Sequence, residues 1–206
     1  MVNIFTISKK PQPPCSMPPV SLIREAHNTI ADRLQPDDIA IDATCGNGHD
    51  TLFLAEQVGV TGKVYGFDIQ QRALDSTTLK LKEQQQFSQV ELICAGHEDI
   101  ELYVQPQHHQ SITAIMFNLG YLPGSDKSII TQTETTLTAL KAACRLLKSS
   151  GLITIIAYPG HQGGHQELES LQNWISGLDK AVFQHQTLII DENDLSKPQL
   201  TTIKKM

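Results

Sequence analysis

Apolar positions along the chain fall into two alternating rhythms. Short runs rich in β-branched residues occur at Ile39–Ala43, Val64–Phe67, Val90–Cys94, Ser111–Phe117 and Leu152–Ala157. Longer helix-like stretches separate them, at Asp50–Gln57, Gln70–Gln86, Glu98–Val104, Thr131–Leu147 and Gly164–Ile175. Strand-length apolar runs joined by helical crossovers predict a parallel sheet covered on both faces. Ahead of the first run, Val20, Ile23, Ala26, His27, Ile30 and Leu34 recur at helical spacing, which predicts an amphipathic helix over 20–34. The tail breaks the rhythm: Ala181–Ile190 and Gln199–Lys204 read as strands with only a polar loop between them. An antiparallel pair closing one edge is expected there. The predicted fold is therefore α/β and Rossmann-like, with a mostly parallel seven-stranded sheet, an antiparallel C-terminal strand and helices on both faces.

Residues 9–19 contain five prolines and are expected to be neither helix nor central strand. The expected organisation is a proline-rich N-terminal extension over 1–19 and a single domain over 20–206. Composition changes this picture little. The chain has 206 residues, 40% apolar and 18% charged, ordinary values for a globular protein. Its longest apolar runs, such as Gly151–Ala157, fall far short of the roughly 20 residues that span a bilayer. No long apolar segment follows a positive N-terminal region, so no secretory signal and a cytoplasmic location are expected. Four cysteines (Cys15, Cys45, Cys94, Cys144) are widely spaced and form no C-x-x-C pair, so reduced thiols are expected rather than disulfides or a metal site.

The formal charge of −6 matters more. Proteins that grip nucleic acid broadly through phosphates carry a basic surface. Here only Lys9-Lys10 and Lys204-Lys205 cluster, which favours a small substrate or an RNA read through a limited patch.

The candidate chemistry sits at the ends of the predicted strands. Ile39-Ala-Ile-Asp-Ala-Thr-Cys-Gly-Asn-Gly-His-Asp50 runs from a strand through a small-residue loop into a helix. Gly46 and Gly48 allow a ligand to approach the backbone, and the helix starting near His49 offers free N–H groups. Asp42 can accept a hydrogen bond or attract a cationic amino group. Any strand-to-helix turn favours Gly and Asn, however, and Asp50 could simply cap the helix. The second strand ends at Asp68, 26 residues after Asp42, where an acid can accept hydrogen bonds from ribose hydroxyls or cap the helix beginning near Gln70. Both features fit adenosine. The loop Gly46-Asn-Gly48-His-Asp-Thr51 lacks the third glycine of G-x-G-x-x-G, which disfavours a dinucleotide and a nicotinamide oxidoreductase. After the third strand, Gly96-His97-Glu98-Asp99 lies where an adenine ring would be met, although Asp99 could equally cap a helix.

The fourth strand ends in Asn118-Leu-Gly-Tyr-Leu-Pro-Gly124. This looks like a variant of the Asn-Pro-Pro-Tyr loop of amino-group methyltransferases, in which the asparagine holds the target nitrogen and the aromatic stacks on the target base. Leu119 and Gly120 replace the two prolines, and a structural turn with Tyr121 as a packing aromatic is the alternative. The fifth strand runs into Ala157-Tyr-Pro-Gly-His161-Gln-Gly-Gly-His-Gln-Glu167, where His161 could take a proton from an amine. His108 and His109 fall in a polar loop and are expected to be solvated.

Taken together, Asp42-Ala-Thr-Cys-Gly-Asn-Gly-His-Asp-Thr51, Gly66-Phe-Asp-Ile-Gln70, the Asn118–Gly124 loop and Tyr158-Pro-Gly-His-Gln-Gly-Gly164 resemble a family of bacterial methyltransferases. That family carries an rRNA methylase label and is linked to tRNA wobble-uridine modification (the MnmM type). The resemblance covers roughly Ser21 to the C-terminus. It implies a class I methyltransferase fold and S-adenosyl-L-methionine as cofactor. It also implies methyl transfer to the amine of 5-aminomethyl-(2-thio)uridine in a tRNA anticodon loop. By position, Asn47, His49, Asp68, Gln70 and His97 would contact cofactor, and Asn118, Tyr121 and His161 would face the uridine; Ile69 and Asn118 are also expected among the cofactor-binding residues. Cys45, the Ser125-Asp-Lys127 segment, Tyr158-Pro159 and the proline-rich extension depart from the family pattern. Alternatives are an rRNA or small-molecule amine acceptor, or a non-catalytic binder of S-adenosylmethionine or a nucleotide. Compact domains of this kind often pair, so a homodimer is an open expectation.

Overall fold

The computed structural model describes residues 21–120, 130–160, 163–191, 194 and 196–206. The proline-rich stretch, Tyr121 with the loop after it, and His161 therefore lie outside the described residues. Helix α1 (Leu22–Ala31) comes first, capped by Ser21, whose hydroxyl accepts from the Arg24 amide. Alternation follows: β1 (Ile39–Asp42), α2 (His49–Val58), β2 (Lys63–Asp68), α3 (Gln71–Glu83), β3 (Val90–Cys94) and the short α4 (Ile100–Tyr103). Then come β4 (Ile112–Leu119), α5 (Thr133–Leu146), β5 (Leu147–Ala157), α6 (Gly164–Ser176), β6 (Phe183–Ile189) and β7 (Gln199–Lys205). The sheet order is β3-β2-β1-β4-β5-β7-β6. Strands β1 to β5 are parallel to one another, and β7 runs antiparallel to both β5 and β6. The expected fold is the observed one.

Pleating divides the core cleanly. Ile41, Tyr65, Phe67, Ile115, Phe117, Ile153 and Ile155 point to one face, against α4, α5 and α6. Ala40, Val64, Ala114, Met116, Leu152 and Ile156 point to the other, against α1, α2 and the Leu81 end of α3. Period-2 alternation inside near-continuous apolar strands is what sheets buried on both sides require. Each large side chain removed fully from water contributes about 1.5–3 kcal/mol. The same alternation aims the polar residues. Asn118 continues the Ala114–Met116 row, and Asp42 continues the row of Ala40, so both face the α1–α2 layer.

Two histidines differ from expectation. His108 and His109 are half-buried rather than solvated. The first pairs through Nδ1 with the Tyr65 hydroxyl at 2.8 Å, and the second places Nε2 3.1 Å from the Val104 carbonyl. The Lys204–Lys205 cluster is also not a free basic patch. Lys205 Nζ donates to the carbonyls of Cys144 and Leu147. Because β7 is antiparallel, Lys204 pairs in register with Leu152, midway along β5 and five residues before its carboxyl end at Ala157.

Candidate functional site

The carboxyl ends of the parallel strands open into one cleft of about 1030 Å³. Its two halves are built differently. On the β1–β2–β3 side the backbone organises the cleft. The Cys45 amide donates to the Phe67 carbonyl (2.9 Å) and the Gly48 amide to the Cys45 carbonyl (2.8 Å), which folds the loop after β1 into a tight turn. Asp68, at the tip of β2, accepts from the Gly46 amide through Oδ2 (2.9 Å) and from the Gln70 amide through Oδ1 (2.8 Å). Both oxygens are held by backbone, yet each retains acceptor capacity toward the cleft. Gly48 sits at φ +73°, and a Cβ there would lie 2.7–2.9 Å from Thr77, so glycine is required twice over. Gly66 has no such strain, but a Cβ would stand 2.7 Å from Cys45 Sγ, so the glycine lets β2 and the loop close together.

Asp42 is placed differently from expectation. It is 0% exposed and does not reach the cleft. Its Oδ2 accepts from the Thr51 hydroxyl at 2.5 Å and its Oδ1 from the Thr44 amide at 3.1 Å. Burial and the neighbouring Asp50 charge push its carboxyl up to about 7. It organises the loop from beneath. Gly48 likewise lies behind the lining rather than in it.

The 3₁₀ turn His97–Asp99 walls the cleft on the β3 side. His97 is buried there with Nε2 unpartnered, and burial depresses its pKa, keeping the ring neutral at pH 7. Asp99 does not cap α4 through its side chain.

On the β4–β5 side, side chains do the organising. The Asn118 amide N–H donates to Thr44 Oγ1 (2.8 Å), and Asn118 Nδ2 donates to Asp50 Oδ2. The other Asp50 oxygen meets His27 Nε2 of α1 at 2.6 Å. A carboxylate only accepts, so the amide nitrogen of Asn118 must face it. The carbonyl oxygen is then left at the cleft, buried and without a partner among the described residues. An unsatisfied buried acceptor costs roughly 1–3 kcal/mol, which a ligand N–H or O–H would recover. Tyr158, just beyond β5, also lines the cleft; burial and then the Asp50 charge raise its hydroxyl pKa. Below it, the buried Glu167 of α6 accepts from the Thr131 and Thr136 hydroxyls at 3.0 and 2.8 Å.

Of the expected site residues, Gly46, Asn47, His49, Asp50, Asp68, Ile69, Gln70, Gly96, His97 and Asn118 come together around this cleft. Sequence reasoning missed His27, Thr44, Tyr158 and Glu167. His27 had one signal, a polar residue on the apolar stripe of α1, but its partner lies 23 residues away. Among the described residues, the lining holds Asp50, Asp68 and Glu98 and no lysine or arginine. That charge suits a ligand with cationic groups and hydroxyls, and it opposes a pyrophosphate. No group of three His, Cys, Asp or Glu side chains among the described residues converges as metal ligands would.

Comparison with known proteins points the same way. Residues 64–204 match the family described as "Putative rRNA methylase". A chloroplastic tRNA (mnm(5)s(2)U34)-methyltransferase of Arabidopsis thaliana is 44% identical over 161 residues, covering 74% of this chain. The chain spans 58% of that relative's length. The crystal structure of a "putative rRNA-methylase" from Clostridium thermocellum aligns with a TM-score of 0.86 at 38% identity, covering 92% of this chain and 100% of the other. A "putative methyltransferase" of Streptococcus mutans, crystallised with SAH, aligns at 0.80 and 38% identity over 91% and 99% of the two chains. With a match over more than half its residues, and with its fold shared at this identity, the chain belongs to the "Putative rRNA methylase" family of class I Rossmann-like proteins.

Proposed function

We propose that the protein is an S-adenosylmethionine-dependent methyltransferase that N-methylates the aminomethyl group of 5-aminomethyl-(2-thio)uridine at the tRNA wobble position. The observation that carries this reading is the buried Asn118 carbonyl oxygen, unpartnered among the described residues, in the wall of an acid-lined cleft. The names of the Arabidopsis relative and of the SAH-bound Streptococcus structure support it.

The residues present fit the cofactor. Asp68 retains lone pairs for ribose hydroxyls, and His97 Nε2 is an orphaned buried polar atom where an adenine edge would lie. Gly46, Asn47, His49, Asp50, Ile69, Gln70 and Gly96 complete that surface. When bound, S-adenosylmethionine supplies an electrophilic methyl group on a cationic sulfur. This chain's contribution is to present a neutral amine to it. A free alkylamine titrates near 10 and is largely protonated at neutral pH. Withdrawal from water favours the uncharged form, and the Asn118 oxygen accepts one N–H so that the lone pair points along the line of displacement. Tyr121 and His161 complete the acceptor side in this reading, as a stacking ring and a proton acceptor.

The domain is taken as 20–206, with 1–19 as an appended extension. We take the working location to be the cytoplasm; no helix among the described residues is long and apolar enough to cross a membrane. The assembly proposed is a homodimer through the outer edge of β6, which no further strand pairs among the described residues and whose Gln184–Leu188 segment is exposed. A monomer mass at all concentrations in sedimentation would overturn that part.

Mass spectrometry of wobble nucleosides tests the function. Incubation of tRNA bearing the unmethylated aminomethyl group with protein and isotope-labelled cofactor should add one labelled methyl to that nucleoside. Label appearing only in rRNA or in a small amine would reject the acceptor, and no label anywhere would reject the enzyme.

A further inference from the structure

His27 lies outside every motif of the site and belongs to a helix that precedes the sheet. Yet it lines the cleft, and it ends a continuous chain of side chains that runs to Asn118. Its ring stacks on Phe53 of α2 with centroids 3.9 Å apart and planes 3° from parallel. That stack fixes the ring plane and leaves Nε2 aimed at Asp50 Oδ1, 2.6 Å away. Asp50, 7% exposed, spends its second oxygen on Asn118 Nδ2.

We propose that His27 is a positioning residue for methyl transfer: by holding Asp50, it locks the Asn118 amide so that its carbonyl oxygen is offered to the acceptor amine. The inference rests on the reading of Asn118 as the group that meets the acceptor. The geometry requires such a lock. Asparagine's terminal torsion is broad and roughly two-fold, and the amide could turn its nitrogen into the cleft at little intrinsic cost. An N–H facing an amine would repel the hydrogens that must be held and compete for the lone pair that must react. Asp50 prevents this by accepting from Nδ2, but only while its own carboxylate is fixed. A carboxylate near the start of a helix has several donors within reach, and the Nε2–H of a stacked imidazole is what commits one oxygen to α1 and leaves the other for Asn118. As the nitrogen forms its bond to the methyl carbon, the carbon–sulfur bond breaks with its pair going to sulfur, and the nitrogen takes on positive charge before losing a proton to water. The Asn118 oxygen, backed by Asp50, faces that charge.

Two substitutions separate the hydrogen bond from packing. His27→Phe keeps a ring on Phe53 and removes the donor. His27→Gln can restore a donor where Nε2 stood. The full chain is assayed at saturating cofactor and tRNA, SAH affinity is measured by calorimetry, and the Asn118 side-chain NH2 signal is followed in a ¹⁵N spectrum, assigned by its loss in Asn118→Ala. His27→Phe should lower kcat at least tenfold, leave SAH affinity within twofold and shift or broaden the Asn118 signal, while His27→Gln recovers a substantial part of both kcat and the signal. Wild-type kcat in His27→Phe, equal losses in the two variants, or an unmoved Asn118 signal would overturn the proposal. If the wild type binds SAH but methylates no tRNA, it is the acceptor reading that fails, and the Asn118 signal alone then decides whether the His27 lock exists.

Discussion

The two halves of the cleft reach order by opposite means. Around β1 and β2 the main chain makes the site: Asp68 is held by two amides, the loop folds on its own carbonyls, and the buried Asp42 fastens Thr44 and Thr51 from below. Around β4 the site depends on side chains reaching across layers, from His27 of α1 through Asp50 of α2 to Asn118, with one acceptor left unsatisfied. The difference fits the two tasks. On the proposed function, the cofactor would be met by a rigid, locally encoded turn, and the acceptor by groups that different elements must bring together and that keep an unspent hydrogen bond for it.

The sharpest way to break this division is to remove one residue from each half. Asn118→Ala should reduce kcat about 100-fold, the scale of a lost positioning contact, while SAH affinity stays within twofold. A large loss of SAH affinity with normal turnover would reverse the assignment of the halves. Asp68→Ala should do the opposite. Losing acceptors for two ribose hydroxyls, and the clamp on Gly46 and Gln70, should weaken SAH binding roughly 30-fold, about 2 kcal/mol. Calorimetry reads this directly, and unchanged affinity would remove Asp68 from the ribose role.

Asp42 sharpens the comparison through pH. Its folded pKa, about 7, lies above the unfolded value near 3.9, because burial and then Asp50 disfavour its charge. Between those values the native state binds more protons than the unfolded chain, so this group's contribution falls as pH rises and levels off above 7. Asp42→Asn cannot titrate and can still bond to Thr44 and Thr51. Relative to wild type it should therefore gain stability across pH 4 to 7, by up to about 1.4 kcal/mol per pH unit. Urea denaturation at several pH values would show the two curves diverging; parallel curves would mean that Asp42 is ionised throughout.

The same contrast explains what could be read from the sequence. Strands β1 to β5 announced themselves because burial on both faces leaves unbroken apolar runs, and the Gly46–Gly48 turn and Asp68 were legible because a backbone-made site is written within a few residues. Asn118 was legible as a polar residue closing such a run. For Asp42, sequence gives a strand's end but not which face its last side chain takes, and in the structure the row begun by Ala40 carries it under the loop. His27 was hidden in an apolar helical stripe, and only the packing of α1 on α2 gives it a partner. Glu167 stood unmarked near the start of the predicted helix Gly164–Ile175, since its partners Thr131 and Thr136 lie 36 and 31 residues away.

That buried glutamate gives the smallest test. Thr131 is tied at both ends: its amide donates to the Gly120 carbonyl at 3.0 Å and its hydroxyl to Glu167 Oε2. Those contacts join Gly120, just after β4, to Thr131 and α6. Thr131→Val keeps the shape and the backbone bond but leaves one oxygen of a buried carboxylate without that donor, while Thr136 still holds the other. The cost should be about 1 kcal/mol, a few degrees in Tm for a domain of this size. If the acceptor half depends on cross-element side-chain contacts, the KM for tRNA should rise a few-fold while SAH affinity does not move. A matched loss of SAH affinity would mean that the halves are mechanically one, and the backbone-made turn would then be less independent of the acceptor side than its hydrogen bonds indicate.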